Sequence, residues 1–189
     1  DMSDDELNNY EVFNQSTGIT ESLFWSTNVN NDNPFWTVNR TSVNEKRKRT
    51  NGIGSVSYQF FPWMNFMTRF SFDTYNETTD GAFNATTKSN GTIRAGGMYY
   101  LTESKYSNTN LDLLLTGGSD LGNENFHIDY VLGSSFLNRK FDTHTDEANG
   151  LVIPNRFSLS FAASPAYINL LSYDRQLNSV FGSVNLMLW

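Results

Sequence analysis

There is no cysteine among the 189 residues of this chain. No disulfide framework can therefore staple it, and no thiolate-ligated zinc or iron–sulfur site is available to it. Long apolar runs are missing too. A transmembrane helix needs roughly 20 apolar residues in succession, and no stretch here approaches that, so helical membrane crossing is excluded. Positive charge is in deficit: 13 Lys and Arg stand against 20 Asp and Glu, for a net charge of -7. That balance argues against nucleic acid as a general partner, because phosphate binding needs a surplus of cations. Histidine is scarce, with only His127 and His144. At least three converging ligands are needed for a metal site, and nothing at suitable spacing supports one. The acidic opening Asp4-Asp5-Glu6 lacks the alternation and glycine of a calcium loop. It reads as a solvated tail.

What is present is a rhythm. Val56-Ser57-Tyr58-Gln59-Phe60, Phe66 to Phe72, Leu111 to Leu115 and Phe126 to Leu132 alternate apolar with polar or small residues. Period-2 alternation places one set of side chains on each face of a strand, so each run has an apolar and a polar face. Very short turns alternate with very long Asn/Thr/Ser-rich connections along the chain. That asymmetry is the habit of an outer-membrane β-barrel, in which only every second residue meets lipid and mean hydropathy looks soluble. The expected fold is all-β: an antiparallel transmembrane barrel segment with long extracellular loops.

The expected organisation is a long extracellular loop region over residues 1–45, then a barrel segment over residues 46–189. Strands are expected near 52–60, 63–75, 105–117, 125–137 and 176–189. The first turn is Phe61-Pro62-Trp63, where proline fixes φ and removes a ladder donor. In the second strand Met64, Phe66, Phe70 and Phe72 share a face, with Arg69 and Asp73 opposite. Residues 76–104 read mainly as a second long excursion, with turn dipeptides Asp80-Gly81 and Asn90-Gly91 and a strand start at Tyr99-Tyr100-Leu101. Ser119 to Asn123 form a short turn, and residues 138–175 a third long loop. Five strands with one lipid-facing side cannot close, so other strands must complete the barrel. No leader opens the chain, Val184 to Trp189 stop within a strand with no polar tail behind them, and both ends read as cuts within a longer polypeptide. Trp63, Tyr75 and Trp189 fit the aromatic girdles of bilayer interfaces or are ordinary strand-end aromatics.

Several segments resemble one family, the SusC/RagA group of TonB-dependent outer-membrane transporters. Asn33-Pro34-Phe35-Trp36 resembles an Asn-Pro-aromatic-Trp stretch in a surface loop before a strand. Phe61-Pro62-Trp63-Met64 through Arg69-Phe70-Ser71-Phe72-Asp73 is similar to the next hairpin. Val131-Leu132-Gly133-Ser134 through Arg139-Lys140, Gly150 to Pro154 with Phe157 to Ser160, and Val180 to Leu186 follow in the same order. The resemblance implies a segment of a plugged barrel of about 22 strands. It implies import of oligosaccharides or peptides across the bacterial outer membrane. The implied partners are the remaining barrel and plug, a SusD-like surface lipoprotein, TonB, and outer-membrane lipid or lipopolysaccharide, with no nucleic acid. Two other readings stay open at this point. One is a secreted all-β carbohydrate-binding module that buries its apolar strand faces against a second sheet; the other is a SusC-like structural subunit of a larger outer-membrane complex.

No catalytic pattern appears: there is no Ser-His-Asp order, no glycine-rich phosphate loop and no persuasive carboxylate pair. The chain is expected not to be an enzyme and to need no cofactor. Lys46-Arg47-Lys48-Arg49 is expected near the outer rim, either meeting lipopolysaccharide phosphates or solvated. Five Asn-x-Ser/Thr triplets, at Asn14, Asn39, Asn76, Asn84 and Asn90, are what Asn- and Thr-rich loops produce by chance. The loop aromatics Phe24, Trp25, Phe35, Trp36 and Tyr99 could stack on sugars, pack against a lid lipoprotein, or form small cores within their own loops.

Overall fold

The computed structural model describes residues 5, 8–23, 32–89, 92–120, 122 and 126–188. Phe24, Trp25, Trp189, Asp4, Glu6 and the Asn90-Gly91 turn lie outside the described residues. The fold is all-β. Five long strands form one sheet, each hydrogen-bonded to the next long strand in chain order. They are β3 (Thr41–Phe61), β4 (Met64–Phe83), β7 (Met98–Asp120), β8 (Phe126–Asn149) and β9 (Tyr167–Leu188). Two small hairpins accompany them: β1 (Glu11–Asn14) pairs antiparallel with β2 (Ile19–Ser22), and β5 (Lys88–Ser89) with β6 (Thr92–Ile93). One short helix, α1 (Pro34–Arg40), leads directly into β3.

The long strands run well past the stretches of apolar alternation. β3 begins at Thr41 instead of residue 52, β4 continues to Phe83, and β9 begins at Tyr167 instead of residue 176. The physical reason is that strand pairing needs only extended backbone and cross-strand partners. Polar residues such as Thr78, Thr79 and Thr102 satisfy this as well as Phe or Val does. The excursions are correspondingly shorter than the sequence suggests, spanning residues 84–97 and 150–166.

The chain divides into two units. The loop unit comprises Asp1–Arg47, Glu77–Ser104 and Thr143–Leu170; the sheet unit comprises Lys48–Asn76, Lys105–Asp142 and Leu171–Trp189. Both long excursions, both hairpins and α1 belong to the loop unit. The two short reversals, β3 to β4 and β7 to β8, belong to the sheet unit.

The two units are stabilised differently. All the buried apolar side chains among the described residues sit in the loop unit: Trp36, Ala82, Ala85, Met98, Ala148 and Leu151. The sheet unit buries no side chain of its own among the described residues. It is a single layer, with Val56, Tyr58, Phe60, Val180, Val184 and Leu186 all exposed. Within that layer, glycines admit aromatic rings from neighbouring strands. A Cβ at Gly52 would lie 2.7 Å from the Phe72 ring, and one at Gly133 would overlap Phe181. An aromatic laid over a glycine covers backbone that would otherwise be bare, a device that also pins register.

Candidate functional site

The sheet unit presents two chemically distinct faces, set by strand alternation. One carries Val56, Tyr58 and Phe60 of β3, Phe66, Phe70 and Phe72 of β4, Leu111, Leu113 and Leu115 of β7, and Ile128, Leu132 and Phe136 of β8. At the short-turn end the rings cluster: Tyr58 meets Phe60 edge-on at 4.9 Å, and Phe61 stacks on Trp63 at 5.2 Å.

Ions and amides occupy the opposite face. Arg49 donates two hydrogen bonds to Asp73, Nε to Oδ1 at 2.8 Å and Nη2 to Oδ2 at 2.7 Å. Arg69 Nε reaches Asp112 Oδ2 at 3.2 Å, while Ser135 Oγ and Asn110 Nδ2 donate to Asp112 Oδ1 at 2.7 and 2.9 Å. Three neighbouring strands are thereby joined by one polar chain. Tyr75 stacks on Tyr106 at 5.0 Å beside it. The sequence places Arg69 and Asp73 opposite the apolar residues, as observed. Arg69's partner Asp112 was legible only as the polar member of the Leu111-Asp112-Leu113 alternation.

The basic run is divided by the same alternation. Arg47 pairs with Glu77 and Arg49 with Asp73. Lys46 and Lys48 point to the other side of β3 and make no ion pair among the described residues. The histidines are apart and each is satisfied by carboxylates. His127 lies 2.6 Å from Asp120 and 3.1 Å from Asp129, and His144 lies 3.0 Å from Asp146. No metal-ligating group of three or more His, Asp or Glu occurs among the described residues.

In the loop unit the site is built around α1. Asn33 caps the helix, its Oδ1 accepting from Phe35 N at 2.9 Å, and Pro34 occupies the first helical position, where no N–H is missed. This Asn-Pro-Phe-Trp start aims Trp36 inward. Its ring is fully buried and Nε1 donates to Thr87 Oγ1 at 3.0 Å. Trp36 is therefore core for its own loop and not a stacking platform. Phe35 lies partly open and stacks on Tyr10 at 6.2 Å.

Asp32, just before the cap, accepts from Ser22 Oγ at 2.9 Å and from the Lys88 backbone N–H at 2.7 Å. Burial nevertheless pushes its carboxyl above the ordinary value, outweighing those hydrogen bonds. Arg40 closes the helix with a two-pronged pair to Glu11, at 2.7 and 2.9 Å, which holds the Glu11 carboxyl below its ordinary range. Beside this cluster lies an open cavity of about 490 Å³, bordered by Asp32, Thr37, Val38, Thr41, Phe83 and Thr87.

The two excursions are tied along a glycine seam. Gly150 N donates to Gly97 O at 3.0 Å, Asn155 N to Gly96 O at 3.3 Å, and Ala85 N to Asn155 Oδ1 at 2.6 Å. Gly97 has φ +93, and a Cβ there would stand 2.7 Å from the Phe83 carbonyl oxygen. Only glycine meets both demands. Sequence reasoning missed this seam: Gly150 was read only as part of a long loop, and Gly96-Gly97 was not singled out.

No protein-family model and no curated sequence matches the chain. Solved structures do. The RagAB peptide importer in its "open-open" state superposes with a TM-score of 0.71 at 11% identity, over 91% of this chain and 19% of that one. The fold is that of a RagAB barrel-transporter segment. The "closed-closed" state of the importer matches with a TM-score of 0.64 at 10% identity, and a structure described as the RagAB peptide transporter with 0.64 at 11%, each over the same shares of the two chains. This chain thus spans about a fifth of the length of the chains it matches. The matched structures are described as a peptide importer and a peptide transporter. Among the described residues no helix is long and apolar enough to cross a membrane, which leaves strands unaddressed.

Proposed function

We propose that this chain is a wall-and-loop segment of a TonB-dependent outer-membrane nutrient importer of the SusC/RagA kind, working with a SusD-like surface lipoprotein. The observation that carries the reading is the single-layer sheet. Its apolar face has no covering layer among the described residues, and its edge strands β3 and β9 are exposed along nearly their whole length. In water such a face and such edges are an aggregation hazard. In a barrel the face meets lipid and the edges pair with further strands. The polar face, with Arg49–Asp73 and Arg69–Asp112–Ser135, then lines the wet interior.

Peptides are the favoured cargo class over oligosaccharides, on the strength of the fold likeness to a peptide importer. A secreted sandwich is disfavoured because the other sheets are two-stranded hairpins of the loop unit. A purely structural barrel subunit shares all these features and differs only in transport. The test is extraction of the protein from outer membranes with mild detergent, followed by heat-modified gel mobility. A folded band that shifts on boiling, with TonB-dependent peptide uptake by cells, is expected. A detergent-free soluble form with this sequence folded would overturn the membrane reading; a shifting band without uptake would leave the structural subunit.

A further inference from the structure

The polar face of the sheet unit can be followed row by row across four strands. Tyr75 stacks on Tyr106 at 5.0 Å and Arg69 bonds Asp112, which sets β4 against β7. Ser135 bonds Asp112 across β7 and β8. Lys140 with Asp174, and Asp142 with Ser172, set β8 against β9. Counted along antiparallel partners, Tyr75, Tyr106, Phe141 and Tyr173 form one row. Two residues toward the short turns, the next row on the same face is Asp73, Asn108, Arg139 and Arg175. An aromatic row thus lies beside a row that ends in two arginines.

These arginines stand directly opposite one another, which puts their Cβ atoms about 5 Å apart. Like charges in that position destabilise a sheet. Neither side chain has an ion pair or a hydrogen bond among the described residues. The carboxylates nearby on this face are already held: Asp73 takes two hydrogen bonds from Arg49, and Asp112 is shared by Arg69, Ser135 and Asn110. Asp142 and Asp174 project from the other face, and Asn108 brings no charge. Arg139 Nε is enclosed, so an incoming group reaches this guanidinium only at its Nη edge. Arg175 is exposed. The row therefore carries two positive charges that no described carboxylate offsets.

We infer that Arg139 and Arg175 together hold a carboxylate of the transported peptide, whose body packs on Phe141 and Tyr173. The guanidinium Nη groups donate to the carboxylate oxygens in charge-assisted hydrogen bonds, which are shorter and stronger than neutral ones. Binding the anion also relieves the repulsion between the two cations. A peptide C-terminus and an acidic side chain present the same pair of oxygens, and the experiment separates them. The inference deepens the proposed function and rests on its reading of this face as the barrel interior and of peptides as the cargo.

The test uses the intact protein, purified from outer membranes in mild detergent with the subunits that accompany it. Isothermal titration measures its affinity for a set of short peptides that differ only in Glu or Gln at one central position and in a free or amidated C-terminus. A carboxylate-bearing peptide is expected to bind roughly tenfold or more tightly than the amidated Gln peptide, and which one does so identifies the source of the carboxylate. The Arg139→Gln/Arg175→Gln double variant is expected to bind every peptide at the level of the neutral one, with heat-modified mobility unchanged. Should that variant lose the mobility shift, Arg175→Gln alone is expected to lower the preference severalfold. Lys140→Gln, on the opposite face, should leave the preference as it was.

A wild type that binds the neutral peptide as tightly as the others, a double variant that keeps the preference, or a folded variant that loses neutral and carboxylate peptides alike would each overturn the inference. So would displacement of the peptide by an equal concentration of inorganic phosphate, because the aromatic row would then contribute nothing. Peptides imported without regard to their charge overturn the subsite alone. Protein that neither binds nor imports any peptide overturns the cargo reading beneath it, even if it takes an acidic oligosaccharide instead.

Discussion

Val184 and Ser183 are neighbours on β9, both exposed, and they project from opposite faces of the sheet unit. Arginine at either position has ample room. If both faces met water, each substitution would fall within about 0.5 kcal/mol of neutral, as surface changes do. If the face carrying Val184, Leu186 and Val180 meets hydrocarbon, Val184→Arg costs roughly 2–4 kcal/mol near the bilayer midplane and less toward an interface. Ser183→Arg, on the wet side, stays near zero. The contrast amounts to roughly 30-fold to several-hundred-fold in the folding equilibrium. Urea titration of the intact barrel in lipid vesicles, followed by tryptophan fluorescence, measures both variants against wild type. Equal costs for the two, or a larger cost for Ser183→Arg, would refute the assignment of faces and with it the barrel reading.

Trp36→Ala should open the loop unit by about 3–5 kcal/mol, because a fully buried indole and its bond to Thr87 are both lost. Proteolytic nicking of the loops should accelerate by roughly two to four orders of magnitude, while the heat-modified barrel band persists. Gly97→Ala should destabilise the seam between the excursions by more than about 1 kcal/mol, since it combines φ +93 with a clash against the Phe83 carbonyl; hydrogen exchange at Gly150 N–H reports it. Acidification acts on the two loop carboxylates with opposite signs. Glu11, held below its ordinary value by Arg40, contributes stability that is present above that value and lost as pH falls through the depressed one. Asp32, pushed upward by burial, is relieved as pH falls through its raised value. Glu11→Gln should therefore flatten the acid-side loss of loop stability in pH-dependent proteolysis, and Asp32→Asn should improve stability most at neutral pH.

Much of the sheet was legible because its physics is local. Val56-Ser57-Tyr58-Gln59-Phe60 declares a two-faced strand through alternation alone, and Pro62 declares the reversal. The upper reaches of the strands were not legible. From Asn138 onward β8 carries polar residues on both faces, so no hydropathic contrast remains to mark Lys140 or Asp142 as strand. The loop unit was not legible: even the helix start at Asn33-Pro34, with its capping side chain and first-turn proline, went unread as one. Its other ties join residues far apart in sequence, such as Ser22 to Thr86 through a 2.8 Å hydrogen bond and Ala85 to Asn155. Nothing in the local pattern of either partner points to the other.

The extra strand length has a structural consequence for the loops. About 9–11 residues suffice for a tilted strand to cross a bilayer, whereas each long strand here has 20 to 24. The surplus segments belong to the loop unit, where Ala82, Met98, Ser104 and Ala148 are buried. Thr102 with Thr145 and Ser104 with Thr143 add hydroxyl bridges of 2.9 and 3.0 Å between β7 and β8. Loops springing from bare strand ends would bear the entropy of ordering by themselves, at about 1–2 kcal/mol per residue. Here they start from paired, partly buried strand extensions and are then tied by Trp36, the Glu11–Arg40 pair and the glycine seam. A loop cluster anchored in this way is pre-organised, and a partner or cargo that docks on it meets a shaped surface without first having to order it.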